Sequence, residues 1–233
     1  MTRGGYPDTM ASPIRFATIR FEDEVKPRLR GVSHAIAFVA ALAACVLLVL
    51  APARGERYVG GLVFGASLVV MFGVSAMYHC PTWSSATYRR LQRFDHAAIY
   101  GLIAGSFTPI AVLDLQGVWG PRMLAVMWIA ALTGAGMALT GRSGPPGVRS
   151  VLYGLLGMVA LPVVVGLPAV IGLARVGWLV FGASLYALGA IIYVRRWPDP
   201  VPVLFGYHEI FHLLVIAAAS IHYAVVIDVL WGA

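Results

Sequence analysis

Charge is scarce in this chain: of its 233 residues only 12% are Asp, Glu, Lys or Arg, while 60% are hydrophobic. Soluble domains carry about 25% charged residues, so this chain has too few to cover a water-exposed surface of its size. Cysteine is equally scarce, since Cys45 and Cys80 are the only two, and this excludes a disulfide scaffold. Glycine and proline follow no period, which excludes a collagen-like fibre. The composition therefore predicts an integral membrane protein rather than a soluble enzyme.

Long apolar runs, in contrast, are abundant. A membrane helix needs about 20 mostly apolar residues to cross a hydrocarbon core of about 30 Å. Runs of this kind, bounded by charges, predict seven transmembrane helices at residues 32–50, 58–78, 96–113, 121–140, 150–171, 175–194 and 210–231. Prolines interrupt the third and fifth runs, which a membrane helix tolerates where neighbouring helices satisfy the freed carbonyls. The predicted fold class is all-α, with a polar tail at residues 1–30 and a seven-helix membrane domain at residues 31–233.

The basic residues indicate how these runs are oriented, because short cytoplasmic loops carry an excess of Lys and Arg. A cytoplasmic N-terminus places 13 of the 17 basic residues on the inner side: Arg3, Arg15, Arg20, Lys26, Arg28, Arg30, Arg89, Arg90, Arg93, Arg142, Arg149, Arg195 and Arg196. The outer side receives Arg54, Arg57, Arg122 and Arg175. The sequence thus predicts a cytoplasmic N-terminus, an external C-terminus and a first run that acts as an uncleaved anchor. The net charge of +7 belongs to this bias, so no nucleic-acid partner is predicted.

One cytoplasmic segment, residues 81–93, mixes aromatic and basic side chains: Trp83, Tyr88, Arg89, Arg90 and Arg93. Such a mixture is typical of a short helix that lies at the interface against anionic lipid. A solvated loop that follows the positive-inside bias is the alternative, and the sequence leaves both open.

Five of the six histidines gather at the cytoplasmic ends of the predicted helices: His34, His79, His96, His208 and His212. An ionisable side chain at membrane depth is a functional candidate, because it must be paired, hydrated or bound to a metal. His208 and His212 are four residues apart, so both imidazoles lie on one helix face, a spacing suited to two metal ligands. His79 ends the second run at the same depth. Zinc suits three neutral imidazoles with an open fourth position.

Asp95 and Ser75 are the other polar candidates at this depth. Asp95 opens the third run, and Ser75 lies one helical turn before His79. A carboxylate beside a metal can orient a water or accept its proton, and a hydroxyl can bond to that water or to a developing oxyanion. Structural alternatives exist for both: Asp95 as the N-cap of the third helix, and Ser75 bonded back to the carbonyl of Met71.

Three separated motifs resemble those of a known family. They are S-x-x-x-H at residues 75–79, F-D-H at residues 94–96 and H-x-x-x-H at residues 208–212. From about residue 28 to the C-terminus, the chain is similar to the hemolysin III group of the progestin and adipoQ receptor family. The resemblance implies zinc bound on the cytoplasmic side by His79, His208 and His212. It also implies that Asp95 holds a water at the zinc, that Ser75 supports it, and that the chain has the compact hemolysin III form rather than that of a hormone receptor.

The resemblance further implies an activity, because adiponectin receptors and the related alkaline ceramidases look like lipid amide hydrolases with this metal site. The expected function is a zinc-dependent hydrolase of a lipid amide or ester, with Asp95 as general base and Ser75 at the oxyanion. A hemolysin-type pore or transport protein is one alternative, although the fourth to sixth runs carry almost no polar side chains to line a path. A receptor or sensor with a structural zinc is another. The expected location is the cell membrane, with membrane lipids as partners and no oligomeric state predicted.

The remaining candidates lie outside this ligand set. His34 is expected either as a ligand or proton carrier, or as an interfacial histidine packed beneath the site. His96 points about 100° away from the neighbouring aspartate, so a partner on an adjacent helix is expected. His222 lies about 21 Å beyond His208 along the helix axis and cannot share the metal. It is expected to pair with another helix or to join a polar pocket on the outer half. Glu209 suits the first turn of a helix.

Overall fold

The computed structural model describes residues 27–114, 117–142 and 144–232, and regular structure within these ranges is helical. The helices are α1 (Val32–Val49), α2 (Gly55–His79), α3 (Ser85–Ala111), α4 (Trp119–Leu139), α5 (Pro146–Met158), α6 (Leu161–Gly166), α7 (Pro168–Ile171), α8 (Leu173–Arg195) and α9 (Tyr207–Trp231). A 3-10 turn, Val112–Asp114, extends α3. The predicted all-α fold class is confirmed. Most of the predicted N-terminal tail, residues 1–26, lies outside the described residues.

Six helical stretches are long and apolar enough to cross a membrane: α1, α2, α4, α8, α9 and residues 146–166, which contain α5 and α6. Large apolar side chains point away from the bundle, and Ile36, Ile129 and Val165 are 68%, 67% and 81% exposed. Such surfaces are rare on soluble monomers but are expected where lipid replaces water around the bundle. The chain is a multi-pass integral membrane protein.

Helix α3 begins at Ser85, well before residue 96, where the third apolar run was predicted to start. Ser84 caps the helix, since its hydroxyl accepts a hydrogen bond from the backbone N–H of Thr87 at 3.4 Å. Asp95 therefore lies about three turns inside the helix, and the alternative that it caps the third helix is wrong. Within the segment at residues 81–93, residues 81–84 are irregular, and residues 85–93 form the first turns of α3 rather than a separate interfacial helix or a loop. Hydropathy had located the edge of the apolar run rather than the end of the helix.

The fifth predicted run is helical but not continuous. Pro162 lies in the first turn of α6 and Pro168 in the first turn of α7, and Gly172, whose φ is 85°, caps the end of α7. Proline removes a backbone donor and clashes with the preceding turn, so each proline starts a new short helix here. The predicted run at residues 150–171 is therefore helical, and the prolines expected to interrupt it divide it into α5, α6 and α7. Pro109 behaves differently, because α3 continues past it to Ala111.

Helix α2 lies at the centre of the packing that positions the site, with contacts to α1, α3 and α9. Glycines allow α2 and α3 to approach closely. A Cβ added at Gly105 of α3 would lie 2.5 Å from the Cβ of Ser67, and one added at Gly60 of α2 would lie 3.0 Å from the Cα of Pro109. This close approach holds α3 directly against α2, so that Asp95 lies beside Ser75.

Candidate metal centre

Three histidine side chains converge at one end of the bundle. His79 is the last residue of α2, and His208 and His212 lie in the first two turns of α9. The ring centroid of His79 lies 4.8 Å from that of His208 and 5.0 Å from that of His212. The rings of His208 and His212 are 4.5 Å apart. One ligand nitrogen from each ring lies within 4.8 Å of the others, so the three histidines could hold a metal ion.

The donor atoms of this group fit a metal ion chemically. Nε2 of His208 and Nδ1 of His212 are buried and have no hydrogen-bond partner within the described part of the chain. A buried nitrogen without a partner costs stability, so such atoms need an explanation. Imidazole nitrogens are good ligands for several transition metals. A bound ion would satisfy both nitrogens at once.

Asp95 and Ser75 are buried beside each other on α3 and α2, with exposed fractions of 7% and 1%. The Ser75 hydroxyl is hydrogen-bonded to Nδ1 of His34 at 2.8 Å, rather than to the carbonyl of Met71 that the sequence had offered as an alternative. Oδ1 of Asp95 has no hydrogen-bond partner among the residues described here. The carboxylate therefore keeps one acceptor oxygen available inside the bundle.

His34 lies at the first turn of α1 and is fully buried. Its ring stacks on the ring of His212, with centroids 3.7 Å apart and an interplanar angle of 10°. The edge of Phe72 closes another side, at 5.2 Å. Of the two expectations for His34, the packing is confirmed by this contact with His212, and its role as a proton carrier stays a prediction; the group of three that could hold a metal does not include it.

The first turn of α9 is held by a contact that sequence reasoning missed. Arg30, just before α1, forms an ion pair with the buried carboxylate of Glu209. The other oxygen of Glu209 accepts a hydrogen bond from the backbone N–H of Gly206 at 2.7 Å, as an acidic residue in the first turn should. The backbone N–H of Arg28 also donates to the carbonyl of Val203 at 3.0 Å. The segment before α1 thus ties down the start of α9, where two of the three histidines lie.

Gly31 allows α1 to pass directly over His79. It has a φ of 85°, and a Cβ added there would lie 2.5 Å from the Cβ of His79 and 3.1 Å from Sγ of Cys80. We expect Gly31→Ala to shift His79 and to lower both the metal content and the unfolding temperature of the purified protein. Gly55→Ala is the matched control, because Gly55 also has a positive φ, of 62°, but a Cβ there meets nothing within 4 Å. Equal metal content in the two variants would contradict the expectation.

The other polar candidates lie outside this centre. Nε2 of His222 is hydrogen-bonded to the carbonyl of Leu179 at 2.9 Å, which confirms the predicted pairing with another helix. The backbone carbonyl of His96 accepts a hydrogen bond from the Tyr153 hydroxyl of α5 at 3.2 Å. Cys80 is exposed and does not belong to the group of three histidines.

Residues 23–223 match the family described as Haemolysin-III related. The chain belongs to this family. The resemblance drawn from the three motifs is thereby confirmed, and Ser75, His79, Asp95, His208 and His212 all lie within the matched residues.

Relatives of this haemolysin III chain come from bacteria and animals. It is 28% identical over 193 residues to the hemolysin-3 homolog of Bacillus subtilis (strain 168), covering 82% of this chain and 87% of the relative. It is 25% identical over 195 residues to the monocyte to macrophage differentiation factor of Homo sapiens, covering 82% of this chain and 79% of the relative. It is 27% identical over 211 residues to the adiponectin receptor protein of Drosophila melanogaster, covering 82% of this chain. The match spans 48% of that receptor, about half its length.

Proposed function

We propose that this haemolysin III protein is a zinc-dependent hydrolase that cleaves an amide or ester bond of a membrane lipid. One observation carries the proposal: three histidine rings converge at one end of the bundle, and His34, which stacks on His212, is hydrogen-bonded to Ser75, the neighbour of Asp95. Metal-assisted hydrolysis uses metal ligands, a proton acceptor and a hydrogen-bonding hydroxyl, and the histidines, Asp95 and Ser75 are groups of these three kinds.

The three histidines would hold the zinc. His79 of α2 and His208 and His212 of α9 supply three nitrogens and leave a fourth position open, as in catalytic zinc sites. One nitrogen from each ring lies within 4.8 Å of the others, so the three side chains could share one ion after small movements. Zinc bound there would act as a Lewis acid on the substrate carbonyl and lower the pKa of a water.

Asp95 is the proposed general base. Its unpaired Oδ1 accepts a proton from the attacking water and returns that proton to the leaving amine or alcohol. Ser75 lies between Asp95 and His34. In this position its hydroxyl orients the carboxylate or donates to the oxygen that becomes negative in the transition state.

The position of the site supports a lipid as the substrate. His79 ends α2 and His208 lies in the first turn of α9, so the site is at the end of two spanning helices rather than midway along them. The bonds that join acyl chains to lipid headgroups lie near the edge of the hydrocarbon core, at a comparable depth. A lipid would reach the site from the bilayer, which surrounds the apolar outer faces of the helices.

The topology we propose adds α3 as a seventh span, with the N-terminus in the cytoplasm, the C-terminus outside and residues 31–233 as one membrane domain after a tail at residues 1–30. Helix α3 has 27 residues, a length of about 40 Å, which exceeds the hydrocarbon core. Arg89, Arg90 and Arg93 occupy its first turns, and the Arg93 guanidinium lies against Gly141 at the end of α4. Basic residues thus gather at the end of the bundle that holds the histidines, as a cytoplasmic face requires.

This topology predicts where reporters are active. We expect a reporter that functions only in the cytoplasm to be active when fused to the N-terminus and inactive when fused to the C-terminus. A reporter that functions only outside should give the reverse result. The same outcome at both termini would mean an even number of spans, in which case α3 does not cross the membrane.

The proposed activity is tested on the purified protein. Metal analysis is expected to find zinc bound, and lipid extracts incubated with the protein are expected to release fatty acid. Zinc-free protein that retains its fold would overturn the proposal. Ion flux in liposomes that persists without the three histidines would favour a pore instead.

A further inference from the structure

We propose that His34 of α1 is a positioning residue of the metal centre, which fixes the ring of His212 by stacking and fixes the Ser75 hydroxyl by a hydrogen bond. This inference rests on the proposed function, because it takes His212 to be a metal ligand. It assigns the buried imidazole of α1 two separate tasks, neither of which is metal binding.

The stacking restricts how the His212 ring can turn. The two rings are nearly parallel, with centroids 3.7 Å apart, which is contact distance. Rotation of the His212 ring about its Cβ–Cγ bond would drive its edge into His34. Because His34 is fully buried and meets Phe72 on another side, it cannot easily yield. The donor nitrogen of His212 is therefore aimed before a metal arrives.

The hydrogen bond from His34 fixes the hydroxyl of Ser75. Nδ1 of His34 lies 2.8 Å from Oγ of Ser75, and both side chains are buried. Ser75 neighbours Asp95, so the bond orients the hydroxyl that the proposed chemistry uses. One side chain from α1 thus touches a ligand on α9 and a hydroxyl on α2. Partners of this kind typically change metal affinity or activity by about 10- to 100-fold when removed.

The two tasks are separated by two substitutions. His34→Phe keeps an aromatic ring against His212 but removes the hydrogen bond to Ser75. His34→Asn keeps a polar group near Ser75 but removes the stacked ring. Zinc affinity is measured by competition with a coloured chelator in detergent, and the visible spectrum of the Co²⁺-loaded protein reports the ligand geometry.

We expect His34→Asn to weaken zinc binding by about 10- to 100-fold and to change the Co²⁺ spectrum. We expect His34→Phe to keep the zinc affinity and the spectrum of the wild type while its kcat falls. His222→Asn is the matched control, since it also removes a histidine hydrogen-bonded to another helix, here to the Leu179 carbonyl, and it should leave both readouts unchanged. Where His34→Asn does not fold, the longer His34→Gln takes its place.

The outcomes distinguish this inference from the function on which it rests. Wild-type protein that binds no zinc overturns the proposed function, and this inference with it. Wild-type protein that binds zinc through the three histidines, together with a His34→Asn variant of equal affinity and unchanged Co²⁺ spectrum, overturns the inference alone. If His34 served only the fold, both variants would have a lower unfolding temperature. Zinc affinity and kcat would then change together in each variant rather than one without the other.

Discussion

Replacement of His212 by alanine is expected to leave the purified protein without zinc. The substitution removes one of three nitrogens that lie within 4.8 Å of one another, together with the ring that stacks on His34. Two imidazoles cannot hold zinc as three do, so the loss of affinity should exceed the roughly 10- to 100-fold that a missing outer partner costs. Metal analysis after size-exclusion chromatography measures the zinc-to-protein ratio, and chelator competition measures the affinity.

His79→Ala and His208→Ala should behave in the same way, because each removes one member of the same group. His222→Ala is the control for the loss of a histidine from α9. His222 is hydrogen-bonded to Leu179 and lies about 15 Å along the axis from His212, so its zinc content should match that of the wild type. Unchanged zinc in a variant that lacks all three ligands would show that the metal, if present, binds elsewhere.

The sequence predicted the two histidines of α9 as a pair because a helix places residues four apart on one face. It could not predict the contact of His34 with His212 or that of Arg30 with Glu209, since the latter pair is 179 positions apart and no local pattern records such a distance. Contacts of this kind depend on how the start of α1 meets the start of α9. The three converging histidines were therefore predictable from the sequence, while the specific contacts that His34 and Arg30 make were not.

Helix boundaries show the same division between local and tertiary information. The apolar runs marked α1, α8 and α9 closely, because in those helices charges and helix ends coincide. In α3 the charges do not mark the helix end. Three arginines and Asp95 lie inside a continuous helix that Ser84 caps. Asp95 consequently has the backbone of an interior helical residue, and its carboxylate is free of the capping role that the sequence had left open. That freedom is what allows it to serve in the proposed chemistry.

Replacement of Asp95 by asparagine is expected to abolish lipid hydrolysis while zinc stays bound. Asparagine keeps the shape of the side chain but cannot accept a proton, and a positioned general base contributes about 100- to 10,000-fold to a rate. The three histidines are untouched, so the zinc-to-protein ratio should equal that of the wild type. The measurement is fatty-acid release from lipid extracts by purified protein, joined to lipid profiling of cells that express either form.

Asp228→Asn is the control for the loss of a carboxylate. Asp228 is exposed near the end of α9 and pairs with Arg175 at the start of α8, so its removal should leave hydrolysis and lipid profile as in the wild type. The comparison also separates the catalytic from the structural interpretation of the metal. If Asp95→Asn keeps its zinc and its cells show the wild-type lipid profile, zinc serves the fold or a signal and not a hydrolysis. A lipid that accumulates only with Asp95→Asn identifies the substrate, because the variant retains the site that binds it and lacks only the base that consumes it.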